Sequence, residues 1–167
     1  MDRLILLRHG EAERDAESGD DFDRALTLRG RREAESAAVI LAAAGFAPDL
    51  VIVSPAARAR QTWAACEPAF PRARPQMEPR LYSADADAIR RLVEAAGETS
   101  GAVMVVGHNP GLQDLAVVLL VEAGEAASQQ AGMRRRFPTG AAAVFAFDRH
   151  GRPRFDAMFL PEIGAVD

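Results

Sequence analysis

The sequence predicts an α/β fold in which helices cover a mostly parallel central sheet. Three short aliphatic runs, Leu4 to Leu7, Leu50 to Val53 and Ala102 to Val106, have the continuous apolar character of strands buried on both faces. Between them lie longer stretches rich in Ala, Glu and Arg with apolar positions near helical spacing. Such alternation of strand and helix is the pattern of a layered fold with a parallel sheet.

The length of 167 residues suits one domain with a real core, so residues 1–167 are expected to form a single domain. A hydrophobic content of 49% and a charged content of 26% are ordinary globular values. The net charge of -4 and pI near 5.4 argue against a nucleic-acid partner. Cys66 is the only cysteine, so no internal disulfide forms and a reducing compartment is expected. The longest apolar run, Leu115 to Val121, is too short to span a bilayer. The N-terminus does not resemble a signal peptide, since cleavage would remove Arg8, His9 and Gly10. The expectation is a cytoplasmic protein with no membrane partner.

Taken in order, the first strand, Leu4 to Leu7, runs straight into Arg8, His9, Gly10 and Glu11. The acidic stretch from Ala12 to Arg24 holds Asp20, Asp21 and Asp23 without a metal-loop spacing, and reads as a solvated loop. Thr27 is an N-cap for a helix over Leu28 to Ala44, which Gly45 stops. The second strand, Leu50 to Val53, is followed by Ser54 as N-cap and Pro55 at the first helical position. That helix runs to about Ala69, broken near Pro68, with Arg58 in its first turn and Gln61 and Thr62 on the same face. Gln76 to Leu81 reads as a short irregular strand and Ala84 to Ala96 as a helix closed by Gly97. The third strand, Ala102 to Val106, delivers Gly107, His108, Asn109 and Pro110, and a helix follows from Gly111 to about Ala123. Gly124 to Pro138 reads as a polar connection whose Arg134, Arg135 and Arg136 face solvent. Ala141 to Phe147 and Arg154 to Leu160 pair as strands across the turn Asp148 to Gly151, where His150 lies on the surface.

Parallel sheets bind ligands beyond the carboxyl ends of their strands. Arg8 and His9, Arg58, and His108 all fall there. Arginine offers a charged fork for phosphoryl oxygens. A neutral histidine ring nitrogen can attack phosphorus. Gly10 lets the backbone turn and approach a ligand closely. Arg58, beside a helix N-terminus, adds the helix dipole to its own charge in attracting an anion. The four side chains together point to phosphoryl transfer.

Arg8-His9-Gly10, then Ser54-Pro55 with Arg58, Gln61 and Thr62, then Gly107-His108 resemble the histidine phosphatase superfamily, which includes phosphoglycerate mutases. The short length, Leu26-Thr27 with Gly30, and Gly107-His108-Asn109-Pro110 are most similar to the SixA-type phosphohistidine phosphatases. The resemblance covers nearly the whole chain. It implies a phosphoglycerate mutase-like three-layer α/β/α sandwich, no cofactor and no metal requirement. It also implies that His9 is the nucleophile, with Arg8, Arg58 and His108 around it. Gly10 and Asn109 are expected among the substrate-binding residues. Tyr82-Ser83-Ala84 stands where the mutase branch carries a glutamate acid, and Asn109 stands where the acid phosphatase branch carries aspartate. Glu11 is the nearest substitute acid by sequence, with Asp85 and Asp87 behind it.

The mechanism expected from these residues is in-line attack by neutral His9, followed by hydrolysis of the phosphohistidine. Arg8, Arg58 and protonated His108 would hold the three equatorial oxygens. The other ring nitrogen of His9 must donate to an acceptor, expected to be a backbone carbonyl. Rival chemistries fit less well. Cys66 sits within a helix, Asp85-Ala86-Asp87 follows no strong strand, and no glycine-rich nucleotide loop is present. The expected substrate is a protein phosphohistidine. The alternatives are a small phosphate monoester such as a sugar or nucleotide phosphate, or phosphoryl binding without turnover.

Overall fold

The computed structural model describes residues 1–161. Six strands form one sheet in the order β3-β2-β4-β1-β5-β6. They are β1 (Arg3–Arg8), β2 (Leu50–Val53), β3 (Arg74–Met77), β4 (Ala102–Gly107), β5 (Ala142–Phe147) and β6 (Pro153–Phe159). The first four run parallel, and the β5–β6 hairpin adds to β1 antiparallel. The helices are α1 (Leu28–Ala43), α2 (Ala57–Cys66), α3 (Ala86–Gly97), α4 (Gly111–Glu122) and α5 (Ala127–Arg135).

Alternation along each strand splits the core in two. Leu4, Leu6, Val103 and Val105 face α3, α4 and α5, with Leu112, Leu115 and Leu119. Ile5, Leu7, Val51, Met104 and Val106 face α1 and α2, with Leu41 and Trp63. The result is the expected three-layer α/β/α sandwich with a mostly parallel sheet.

Chain order does not match strand order, and that places the site. β4 inserts between β2 and β1, so the ends of the first three aliphatic strands lie side by side. Arg8 pairs in register with Gly107, which sets His9 directly beside His108. The backbone continues the pairing, His9 N–H donating to Gly107 O at 3.0 Å and Ser54 N–H to Val106 O at 3.0 Å.

Several local readings hold. Thr27 Oγ1 accepts from Gly30 N–H at 2.9 Å as the cap of α1. Gly45 follows that helix at φ 78°, in the left-handed region open to glycine. Four differ. α2 starts at Ala57, not after Ser54, because the Ser54 hydroxyl is turned to His108. Strand pairing falls on Arg74–Met77, and Pro79–Leu81 curl into a 3-10 turn capped by the Glu78 carboxylate. α3 starts at Ala86, not Ala84, because the Asp85 carboxylate caps it by accepting from Ala88 N–H at 2.8 Å. Within the polar connection, Ala127–Arg135 form α5, which rests on α4 through the buried Met133. One buried residue leaves no apolar stripe, so the helix has no periodic signal. Arg134, Arg135 and Arg136 are exposed, as expected.

Candidate active site

Elementary geometry of β1 and its turn orients His9. Its Nδ1 lies 2.7 Å from Gly10 O, and a carbonyl can only accept, so Nδ1 carries the proton. Nε2 is then the bare nitrogen with a free lone pair. Burial holds the His9 ring down to about 4, against the Gly10 hydrogen bond, and the charges of Arg58, Arg8 and Arg24 push the same way as burial. The ring is therefore neutral at pH 7.

Gly10 itself is packed, not open. A Cβ on it would stand 2.1 Å from Gly30 O of α1. Its N–H donates to Thr62 Oγ1 at 3.0 Å, and Thr62 Oγ1 in turn donates to Arg58 O at 2.7 Å. The close approach expected toward a ligand is thus made to a helix backbone, which excludes any side chain there. Its carbonyl is the acceptor that His9 requires.

His108 stands with its ring centroid 5.1 Å from that of His9. Its Nε2 is 2.7 Å from Ser54 Oγ, and its Nδ1 is buried without a partner. Burial, with His9 and Arg58 next, holds it down to about 3. The free site therefore contains a neutral His108; the expectation of a protonated His108 concerns the state with a phosphoryl group bound. Burial is the reason: with no anion present, a second cation beside the arginines is costly.

Arg8 Nη1 donates to Phe137 O at 2.8 Å. The same carbonyl accepts from Asn109 Nδ2 at 3.0 Å, so the residue after the second histidine braces the first arginine. Gln113 continues the brace, accepting from Asn109 Nδ2 at 3.1 Å and donating to Met133 O at 2.7 Å. Arg58, 7% exposed, is held by Asp21, with Nη1 donating to its carbonyl at 2.6 Å and Nη2 to Oδ2 at 2.9 Å.

Asp21 was hidden in what reads as a solvated loop. The loop folds over the strand ends, where Phe22 meets Tyr82 edge-on at 5.0 Å and Tyr82 meets His108 edge-on at 5.9 Å. Tyr82 OH and Arg24 Nη1 also donate to the Asp21 carboxylate, at 2.8 and 2.7 Å. Those bonds and Arg58 keep it well below the usual carboxylate range. Only the pairing of acid, arginine and aromatic residues far apart in sequence marks this cluster, and no spacing rule links them.

The substitute acids fare differently. Glu11 Oε1 accepts from Thr27 Oγ1 at 2.9 Å and Oε2 lies 3.7 Å from Arg29 Nε, so its carboxylate is engaged at the start of α1. Glu33, 2% exposed, accepts from Glu11 N–H at 2.8 Å. Asp85 lines the cleft but caps α3, and Asp87 is exposed in its first turn. The cleft, about 340 Å³, is lined by Asp21, Arg58, Tyr82, Asp85, His108 and Asn109 among others. A second cavity of about 310 Å³, lined by Met1, Leu4, Leu115 and Phe147 with Arg90 and Glu94 among others, opens at the other end of the sheet, away from all these groups. Among the described residues no group of three or more His, Cys, Asp or Glu could hold a metal ion. No helix among them is long and apolar enough to cross a membrane.

Arg72 follows Cys66 by the spacing of a cysteine-phosphatase loop. The thiol is fully buried at the end of α2, donates to Ala34 O at 3.4 Å, and is pushed up to about 12 by burial. A thiol so placed has neither access nor thiolate character.

The two depressed histidines carry a stability prediction. Unfolded, both titrate near 6.5; folded, near 4 and 3. Between those values the unfolded chain holds more protons, so stability rises with pH there and is lost as pH falls from about 6.5. The melting temperature should drop by several degrees between pH 7 and pH 4.5, and His9→Gln with His108→Gln should flatten that slope. An equal slope in the double variant would contradict the assignment.

Comparison with known proteins agrees with this geometry. The family described as histidine phosphatase superfamily (branch 1) matches residues 4–94, more than half of the chain, including Arg8, His9 and Arg58. A SixA structure from Agrobacterium tumefaciens is 34% identical, with a TM-score of 0.82 over 96% of this chain and 98% of that one. A structure of the protein histidine phosphatase SixA complexed with tungstate is 26% identical, with a TM-score of 0.78 over 95% and 97%. An uncharacterized Mycobacterium tuberculosis protein is 35% identical over 130 residues, 78% of this chain and 80% of that one. With these likenesses set beside the paired histidines at adjacent strand ends, the chain belongs to the histidine phosphatase superfamily, in its SixA type, and is a phosphatase.

Proposed function

We propose that this phosphatase hydrolyses phosphohistidine on proteins through a phosphoryl intermediate on His9, residues 1–167 acting as one catalytic domain without a metal or cofactor. The observation that carries the reading is the state of the cleft's acid and base groups. His9 Nε2 is unprotonated and its ring lies 5.1 Å from that of His108, while the nearby carboxylate, Asp21, is locked as an anion by Tyr82, Arg24 and Arg58. The site thus offers a nucleophile and cations but no poised carboxylic acid. That suits a leaving group that departs without strong acid help.

In the first step His9 Nε2 forms a bond to phosphorus and the bond from phosphorus to the substrate nitrogen breaks. The electron pair leaves with that nitrogen, which takes a proton from solvent. In the second step water attacks phosphorus, the P–Nε2 bond returns its pair to His9, and inorganic phosphate is released. Arg8, Arg58 and His108 would meet the equatorial oxygens, where charge gathers in the transition state. The arriving dianion offsets the burial that keeps His108 neutral, so His108 would take up its proton with substrate bound. That a relative was solved in complex with tungstate, itself an oxyanion, supports oxyanion binding by this fold. Screening phosphate release from phosphohistidine protein against sugar, nucleotide and seryl phosphates tests the reading.

Arg58→Ala should lower kcat/KM on an aryl phosphate by about 30- to 1,000-fold, since a charged hydrogen bond to a transition-state oxygen is worth roughly 2–4 kcal/mol. A change within about twofold would mean that Arg58 serves only its bond to Asp21.

A further inference from the structure

Asp21 is a carboxylate inside a cleft that has to hold a dianion. It engages both terminal nitrogens of Arg58, one through its carbonyl at 2.6 Å and one through Oδ2 at 2.9 Å. Oδ2 also accepts from Tyr82 OH, and Oδ1 from Arg24 Nη1. Arg58 is buried with 8% of its side chain exposed, whereas the Asp21 carboxylate is half exposed. A surface turn thus reaches inward to pair the buried arginine. The turn is itself fixed, because Asp20 Oδ1 accepts from Phe22 N–H at 2.9 Å and Phe22 packs on Tyr82. The negative charge also reaches the second histidine, raising His108 against its burial.

We propose that Asp21 is the resident counter-anion of the phosphoryl site: phosphoryl oxygens share Arg58 with it, and its charge weakens the hold on inorganic phosphate and so favours product release. The proposal rests on the reading of this cleft as the phosphoryl site, and holds whichever leaving group the enzyme prefers. The physical reason is one of like charges. A product dianion held by Arg8, Arg58 and a histidine would bind tightly, and a fixed carboxylate on the same guanidinium opposes that binding. Tyr82 and Arg24 spread the Asp21 charge, which keeps the carboxylate ionised and in place while Arg58 changes partner.

The test is inhibition of aryl phosphate hydrolysis by inorganic phosphate. Asp21→Asn keeps an oxygen for Arg58 or Tyr82 and removes the charge, and should lower the phosphate inhibition constant by about three- to tenfold. A residue that only supported the fold would move the constant the other way. Asp23→Asn makes the same charge change in the same turn, at a carboxylate that accepts from Ser18, and should leave the constant within about twofold. If Asp21→Asn fails to fold, Asp21→Ser carries the same expectation. An inhibition constant unchanged or raised in the Asp21 variant, with turnover retained, overturns the counter-anion role alone. Absence of turnover in the wild type would instead end the phosphatase reading on which it rests.

Discussion

His9→Ala should reduce phosphate release by about 10⁴-fold or more, to a level set by binding and charge alone. No neighbouring group can take over. His108 has its Nε2 engaged with Ser54, Cys66 is buried away from the cleft, and Asp21 is spread among three donors. The wild-type enzyme quenched during turnover of labelled substrate should yield a phosphoenzyme that is acid-labile and base-stable, as a phosphorus–nitrogen bond requires. His9→Ala should yield none. Activity like that of the wild type in His9→Ala would end the proposed mechanism. An alkali-labile, acid-stable phosphoenzyme would move the nucleophile to an oxygen.

Substrate ranking is the second large effect. A phosphate ester of an alcohol leaves as a strongly basic alkoxide and depends on a placed acid, a contribution of about 10²–10⁴-fold. Imidazole leaves far more readily, since its conjugate acid has a pKa of roughly 6.5. The kcat/KM for protein phosphohistidine should therefore exceed that for phosphoserine or sugar phosphates by about 10²-fold or more, with aryl phosphates between. The sequence left Glu11 open as a substitute acid, and in the structure its carboxylate accepts from Thr27 and lies 3.7 Å from Arg29 Nε. Glu11→Gln should accordingly leave the ratio within about twofold. A sugar or alkyl phosphate turned over as fast as phosphohistidine would mean that an acid does act in the cleft, and Asp85 on its rim would be the one to replace next.

The aliphatic runs that became β1, β2 and β4, the Thr27 cap and the turn at Gly151 were legible because each depends on a few consecutive residues. So was the placing of Arg8, His9, Arg58 and His108 near strand ends, since a parallel sheet gathers its carboxyl ends on one edge. By itself the sequence determined the fold class, the polarity of the site and the residue types available to it. Tertiary structure alone decided the partners, because it decided strand order. With β4 between β2 and β1, His108 meets His9 on one side and Ser54 on the other, 54 positions away in sequence. The loop that reads as solvent-facing carries Asp21 to Arg58 and to Tyr82, 37 and 61 positions distant. Phe137 O reaches Arg8 across 129 positions. Helix α5, which Gln113 ties to Asn109 beside that carbonyl, is held by Met133 and lacks an apolar stripe. Hydrogen bonds between distant side chains leave no periodic trace in a sequence. Each was chosen by which backbone ends and loops the sheet brought together, and buried groups such as Arg58 and Phe137 O find their partners there.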